Sequence, residues 1–348
     1  MASSINNSAW LEWMASLMGG VSRQTHAATF PPDRFYCLLD ELPLHLIPQR
    51  DRHSLQKKGN QQQQLYLNPE CTIGPAEQIP DELASRQDLL SHFALQGTTA
   101  WVRESATATL LPFWLGPELE KTLRGLRLDR PVPAAMPANV GRLLTSAGIL
   151  IPEERLRHHS SEPEEETSKA AMLFREKGYA PLGNLIHPFH VAALRRYYRH
   201  LIRSGAIQLG DRQSDRRYVA YNEPVARFFH QQITAKYSVI AGEPLKPSYV
   251  YLASYLSGAE LRKHKDREQC EFSITFCLDF SPEPDLATPW PIKLDTLKGT
   301  VTAYQALGDG LAYRGTRLPH YRSVLPEGQT SMSIFFHYVS ADFDGPLG

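Results

Sequence analysis

Residues 271 to 280 alternate without a break. Phe272, Ile274, Phe276, Leu278 and Phe280 are large and apolar, while Glu271, Ser273, Thr275, Cys277 and Asp279 are polar or small. A period of two belongs to a strand, whose successive side chains leave opposite faces, so the run predicts a sheet with one face on a core. Ser331 to Val339 repeats the pattern, with Met332, Ile334, Phe336 and Tyr338 on one face. Helical spacing governs the chain before residue 246. Val191, Leu194, Tyr198, Leu201 and Ile202 recur at helical intervals with Gly205 as a stop, and Val225, Phe228, Phe229, Ile233, Tyr237 and Ile240 make a second amphipathic helix. Helices followed by strands with Gly/Pro turns predict an α+β chain: a jelly-roll β domain buttressed by helices.

The chain has 348 residues, enough for two domains. Residues 157 to 169 open with Arg-His-His-Ser-Ser-Glu-Pro-Glu-Glu-Glu-Thr-Ser, which offers no large apolar side chain to bury, and read as a linker. Its two histidines, His158 and His159, belong to that linker and not to a metal site. The boundary separates a mainly helical N-terminal domain, 1 to 156, from a domain at 170 to 348. Within the first, Trp10 to Met18 read as a short amphipathic helix and Gln56 to Gln64 as a solvated loop. A helix ending at Gly148 leads into a short extended segment.

Net charge excludes one class of partner. With 37 basic and 37 acidic side chains the formal charge is zero, so the chain is not built to bind nucleic acid by neutralising phosphates. No run of about 18 apolar residues is present, so no membrane association is expected. Cys37, Cys71, Cys270 and Cys277 form no CxxC pair and read as reduced core residues of a cytoplasmic protein. A monomer and a homodimer are both compatible with the composition.

The chemistry concentrates at Tyr255-Leu256-Ser257-Gly258 and the His264-Lys265-Asp266 that follows. Residues two apart on a strand share a face, so an imidazole and a carboxylate converge on one point. A second histidine, His320, comes after the turn Gly308-Asp309-Gly310 and at the start of another strand. Two histidines and one carboxylate make a facial triad that leaves positions open on Fe(II).

With these motifs, residues 170 to 340 resemble the Fe(II)/2-oxoglutarate-dependent oxygenases, nearest their prolyl-hydroxylase-like and phytanoyl-CoA-hydroxylase-like branches. The resemblance also covers Phe174 to Tyr179 as the domain's opening. It implies a double-stranded β-helix in which His264, Asp266 and His320 are the catalytic iron ligands, with 2-oxoglutarate and O2 as cosubstrates. The implied reaction is oxidative decarboxylation of 2-oxoglutarate coupled to hydroxylation of an unactivated C–H bond. Related halogenases replace the carboxylate ligand with a small residue, so Asp266 points to hydroxylation.

One departure from the family pattern stands out. The cation that binds the far carboxylate of 2-oxoglutarate follows the distal histidine in the family, and Gln329 stands at that place here. Neutral Gln cannot make a charge-assisted bidentate bond. Arg322, two past His320, is the first replacement, Lys293 the second and Arg262 the third, with Tyr249, Tyr251 or Tyr255 adding a phenol. His337 reads as a packed core histidine and Arg267 as a residue that could face substrate; Tyr221 and Asn222 are placed on the pocket rim. The substrate is read as an amino-acid side chain in a peptide or protein, held by the extra N-terminal domain, with a small molecule of specialised metabolism as the alternative. A non-catalytic binding module on the same fold is the rival reading, and Gln329 is its best support.

Overall fold

The computed structural model describes residues 30–56, 64–104, 107–157, 162–212 and 214–348. Trp10 to Met18, most of the Gln-rich loop and the pair His158-His159 lie outside the described residues.

The N-terminal region holds short helices, as expected, and also two small sheets that its sequence does not announce. β1 (Leu65–Leu67) pairs with β5 (Leu150–Pro152), and β2 (Cys71–Pro75), β3 (Thr98–Arg103) and β4 (Leu110–Leu115) form an antiparallel meander. The polar stretch before residue 170 is not a linker throughout: Glu162–Lys177 is one helix, with Glu165 and Lys169 paired on its exposed face. The exposed turns continue into buried ones, where Ala170 and Phe174 join the core and anchor the helix, while the Glu165–Lys169 pair adds little.

The rest is a jelly roll. Its large sheet has the order β6 (Tyr179–Leu182), β14 (Gly310–Arg314), β11 (Phe272–Ser281), β16 (Thr330–Ser340), β9 (Leu245–Tyr255), β8 (Arg217–Tyr221), β7 (Gln208–Leu209). The small sheet has the order β10 (Leu261–His264), β15 (His320–Arg322), β12 (Ile292–Thr296), β13 (Gly299–Ala303). All ladders in both sheets are antiparallel.

The alternating strand is buried on both faces, not one. Phe272, Ile274, Phe276 and Leu278 join the core formed with the helices Pro188–Arg203 and Pro224–Ala241. The polar phase, Ser273, Thr275 and Cys277, is equally buried, inside the barrel. A bulge between Cys277 and Asp279 reverses the alternation. It delivers Phe280 to the interior and turns Asp279 toward Arg195 and Arg199 on the first of those helices. The sequence pattern alone puts Phe280 on the wrong face.

The N-terminal region packs on the outer side of the same helices. Phe35 meets Tyr197 at 6.0 Å and Phe229 at 5.8 Å between ring centroids, and Phe93 meets Phe228 at 5.0 Å. Both halves therefore share one hydrophobic core. The helices stand between that region and the barrel interior. Arg50 binds Asp309 (2.5 Å) at the turn beside Cys277, well along β11 from the Phe272 end. Among the described residues, no helix is long and apolar enough to cross a membrane. The four cysteines are free thiols, and burial pushes Cys37 and Cys277 up to about 12.

Candidate metal centre

β10 and β15 run antiparallel with His264 directly opposite His320, and their rings lie 4.3 Å apart. Asp266 follows β10, its amide donating to Gly315 O at 3.0 Å. His264 Nε2 and His320 Nε2 each lie 3.5 Å from Asp266 Oδ1. One ligand atom from each residue fits within 4.8 Å of the others.

The hydrogen bonds behind this cluster fix what it can hold. His264 Nδ1 faces Arg262 O at 2.7 Å and His320 Nδ1 faces Leu318 O at 3.0 Å. A carbonyl only accepts, so each Nδ1 carries a proton and each ring turns its Nε2 toward Asp266. Two imidazole nitrogens and a carboxylate oxygen thus converge on one point, where neutral rings would offer their lone pairs to a cation. Hydrogen bonding to Asp266 raises the His264 pKa. The Asp266 carboxyl is disfavoured as an anion by burial, yet contacts from His264 and His320 prevail and hold it well below the usual carboxylate range. Two nitrogens, one oxygen and open positions suit Fe(II), so the residues fit the metal that the sequence implies.

A second layer of contacts, not foreseen from sequence, holds Asp266. Ser273 Oγ donates to Asp266 Oδ2 (3.0 Å) and lies 2.9 Å from His337 Nδ1. His337 is neutral, since burial lowers it to about 4. It is a buried partner of the cluster with its Nδ1 against Ser273, and it also forms with Asp266 and Cys270 a second group of atoms close enough to share an ion. Gly315 leaves room for this arrangement, because a Cβ there would run into Asp266 Oδ2 and Cys270 O.

The candidate cosubstrate residues separate cleanly. Arg322 is buried, opposite Leu261 and on the same strand face as His320. Its guanidinium donates to Trp290 O and, at 3.1 Å, to Gln305 Oε1, and its Nε has no partner. It makes no ion pair among the described residues. A buried guanidinium without a counter-charge is costly, and burial lowers its pKa. Thr275 Oγ1 and Ser333 Oγ, on the barrel-facing phases of β11 and β16, are also buried without partners. These atoms suit an anionic, oxygen-rich ligand next to the metal.

Lys293 does not serve. It pairs with Tyr321, on the face opposite His320 and Arg322, and bonds Ser323 Oγ at 3.1 Å. Arg262 points to solvent and pairs with Glu260. Tyr255 lies inside, its ring 5.1 Å from Trp290, and it couples electrostatically to Arg322. The Tyr251 hydroxyl is spent on Asp211 Oδ2 at 3.0 Å, and that of Tyr249 meets Cys270 Sγ at 3.0 Å, so neither reaches the Arg322 end.

No family model matches the chain, and no curated protein matches it in sequence. Solved structures do. One is the non-haem α-ketoglutarate-dependent epimerase SnoN of nogalamycin biosynthesis, 13% identical over 51% of this chain and 82% of that one, TM-score 0.42. A Pseudomonas putida prolyl-4-hydroxylase is 15% identical over 50% and 98%, TM-score 0.41. HygX from Streptomyces hygroscopicus, solved with nickel, 2-oxoglutarate and hygromycin B, is 13% identical over 50% and 88%, TM-score 0.40.

Proposed function

We propose that this chain is an Fe(II)- and 2-oxoglutarate-dependent oxygenase that hydroxylates an unactivated C–H bond. The observation that carries the reading is the convergence of His264 Nε2, His320 Nε2 and Asp266 Oδ1 beside the unpaired, buried Arg322. His264 and His320 would hold the metal as neutral rings, oriented by the two backbone carbonyls behind them. Asp266 would supply one oxygen, its other oxygen being engaged by Ser273. Arg322 would bind the far carboxylate of 2-oxoglutarate by a charge-assisted pair, replacing the cation missing at Gln329. With iron, 2-oxoglutarate and O2 bound, the centre supplies the oxidising power for C–H cleavage, and the protein orients the substrate and limits side reactions.

Of the two substrate classes, the small molecule fits better than the peptide. The peptide reading has the N-terminal region hold the substrate away from the iron, and that region packs on the outer side of the helices, so a peptide held there would have to pass the edge of the large sheet to reach the metal. The rival binding-module reading loses its main support once Arg322 replaces Gln329. Assay of 2-oxoglutarate conversion to succinate with Fe(II) and O2 tests the activity. Slow turnover, even without substrate, is expected in the wild type and none in Asp266→Ala. Absence of turnover in both, or its persistence in the variant, refutes the assignment.

A further inference from the structure

The barrel interior carries a set of aromatic rings that the metal chemistry does not need. Tyr221 on β8, Tyr249 and Tyr251 on β9, and Phe335 on β16 are joined by cross-strand pairing: Tyr221 opposite Tyr251, Tyr251 opposite Phe335, and Tyr249 opposite His337. The centroids are 4.5 Å apart for Tyr221 and Tyr251, 5.9 Å for Tyr251 and Phe335, and 6.3 Å for Tyr221 and Tyr249. The wall runs into the metal site, because His337 lies 4.6 Å from Tyr249 and reaches Asp266 through Ser273. It also runs out to solvent, since Tyr221 is 59% exposed.

Two features narrow what such a wall can bind. The hydroxyls of Tyr249 and Tyr251 are engaged by Cys270 and Asp211, and these rings and Phe335 are buried, so they offer a narrow strip of ring surface that the exposed Tyr221 extends, and no hydrogen bonds. Ring surface of this kind selects another flat ring through offset or edge contacts. The charge beside it is positive. Arg217 lies 5.5 Å from the Tyr251 centroid and Arg267 lies 5.0 Å from that of Tyr249. Arg217 is paired with Asp211, whereas Arg267 hydrogen-bonds Tyr249 and Cys270 but forms no ion pair among the described residues, and it is solvent-exposed at the rim, as is Lys265. A cationic ligand would be repelled there, and an anionic one would find a guanidinium.

We propose that the wall formed by Tyr221, Tyr249, Tyr251 and Phe335 binds a small aromatic carboxylic acid, its ring on the tyrosines and its carboxylate at Arg267. The inference rests on the oxygenase reading for its relevance to catalysis, but the binding it describes needs no metal. The chain's own Gly348 already sits against the edge of Tyr249, where a Cβ would meet the ring, so the ring's outer edge is accessible only to thin groups.

The test is binding to metal-free protein, by equilibrium dialysis, of three probes: 2-naphthoate, 2-naphthylmethylammonium and cyclohexanecarboxylate. Naphthoate should bind at least about tenfold more tightly than either of the others. Tyr221→Ala should weaken naphthoate about tenfold, and Arg267→Gln should erase the preference for the anion while the ring still binds. Equal binding of all three probes, no naphthoate binding, or naphthoate binding indifferent to both substitutions overturns the proposal. Tighter binding of a non-aromatic tetrapeptide than of naphthoate does so too, in favour of a peptide. Failure of 2-oxoglutarate turnover with naphthoate binding intact would refute the oxygenase reading and leave this one standing.

Discussion

The two faces of the large sheet are made by the same strands and solve opposite problems. On the helix side, Phe272, Ile274, Phe276, Ile334 and Phe336 are sealed beneath two helices, and most polar groups there are matched, His190 Nδ1 being an exception. Tyr237 donates to Ser273 O at 3.1 Å, Tyr338 donates to His230 O at 2.9 Å, and Arg195 is paired with Asp279. On the barrel side, Thr275, Ser333 and Arg322 each leave a buried polar atom without a partner. Unmatched buried polar atoms cost stability, so a fold retains them where a ligand completes them. One face is built to be finished on folding, the other on binding.

Substitutions should therefore separate the faces. Asp266→Ala should lower metal affinity by more than the roughly 10–100-fold that losing an outer-shell partner costs. Its cost to the metal-free protein, from the lost contacts with Ser273, His264 and His320, should be smaller than that of a core truncation; titration with Co(II) and thermal melts check both. Phe272→Ala should do the reverse, costing about 3–5 kcal/mol by denaturant unfolding. A large loss of metal-free stability in Asp266→Ala would break the comparison.

The helix side also predicts a pH dependence. His187, His190 and His230 are buried, and burial depresses them to about 4, 3 and 3. Unfolded, each titrates near 6.5, so between these values the unfolded chain binds more protons than the folded one. Their contribution is complete above about pH 6.5 and is lost as pH falls through the folded values, a loss on the order of several kcal/mol in all. Thermal melts from pH 7 to 4 should show a falling midpoint, and His230→Gln should flatten the slope.

The smallest expected effects sharpen the comparison most. Tyr237→Phe removes a matched hydroxyl and should cost about 0.5–1.5 kcal/mol, while Thr275→Val removes an unmatched one and should be neutral or stabilising. Equal costs in denaturant titrations would mean that the two faces do not differ in this way.

The proposed metal ligands are readable in the sequence because their signal is local. His264 and Asp266 are two apart, and His320 follows a glycine turn, so neither needs knowledge of the tertiary register. Arg322 was reachable by the same rule, two past His320. Lys293 failed because strand phase decides which face a residue takes: in Ile292-Lys293-Leu294 the two apolar residues are buried and the lysine lies on the opposite face. Phe280 failed for a related cause, a bulge that no alternation pattern announces. Ser273 and His337 were out of reach because they meet Asp266 through pairing between β11 and β16, a long-range register. The small N-terminal sheets were missed because strands of three to six residues sit among stronger helical signals.

The central claim is that a metal and a dicarboxylate complete the barrel interior together. Its most direct test is an anaerobic titration of 2-oxoglutarate into the Fe(II)-loaded protein, followed by visible absorbance. A charge-transfer band should rise to saturation in the wild type, be absent in His264→Ala, and require at least about tenfold more 2-oxoglutarate in Arg322→Gln. No band in the wild type, or a saturation curve unchanged by Arg322→Gln, would contradict the account.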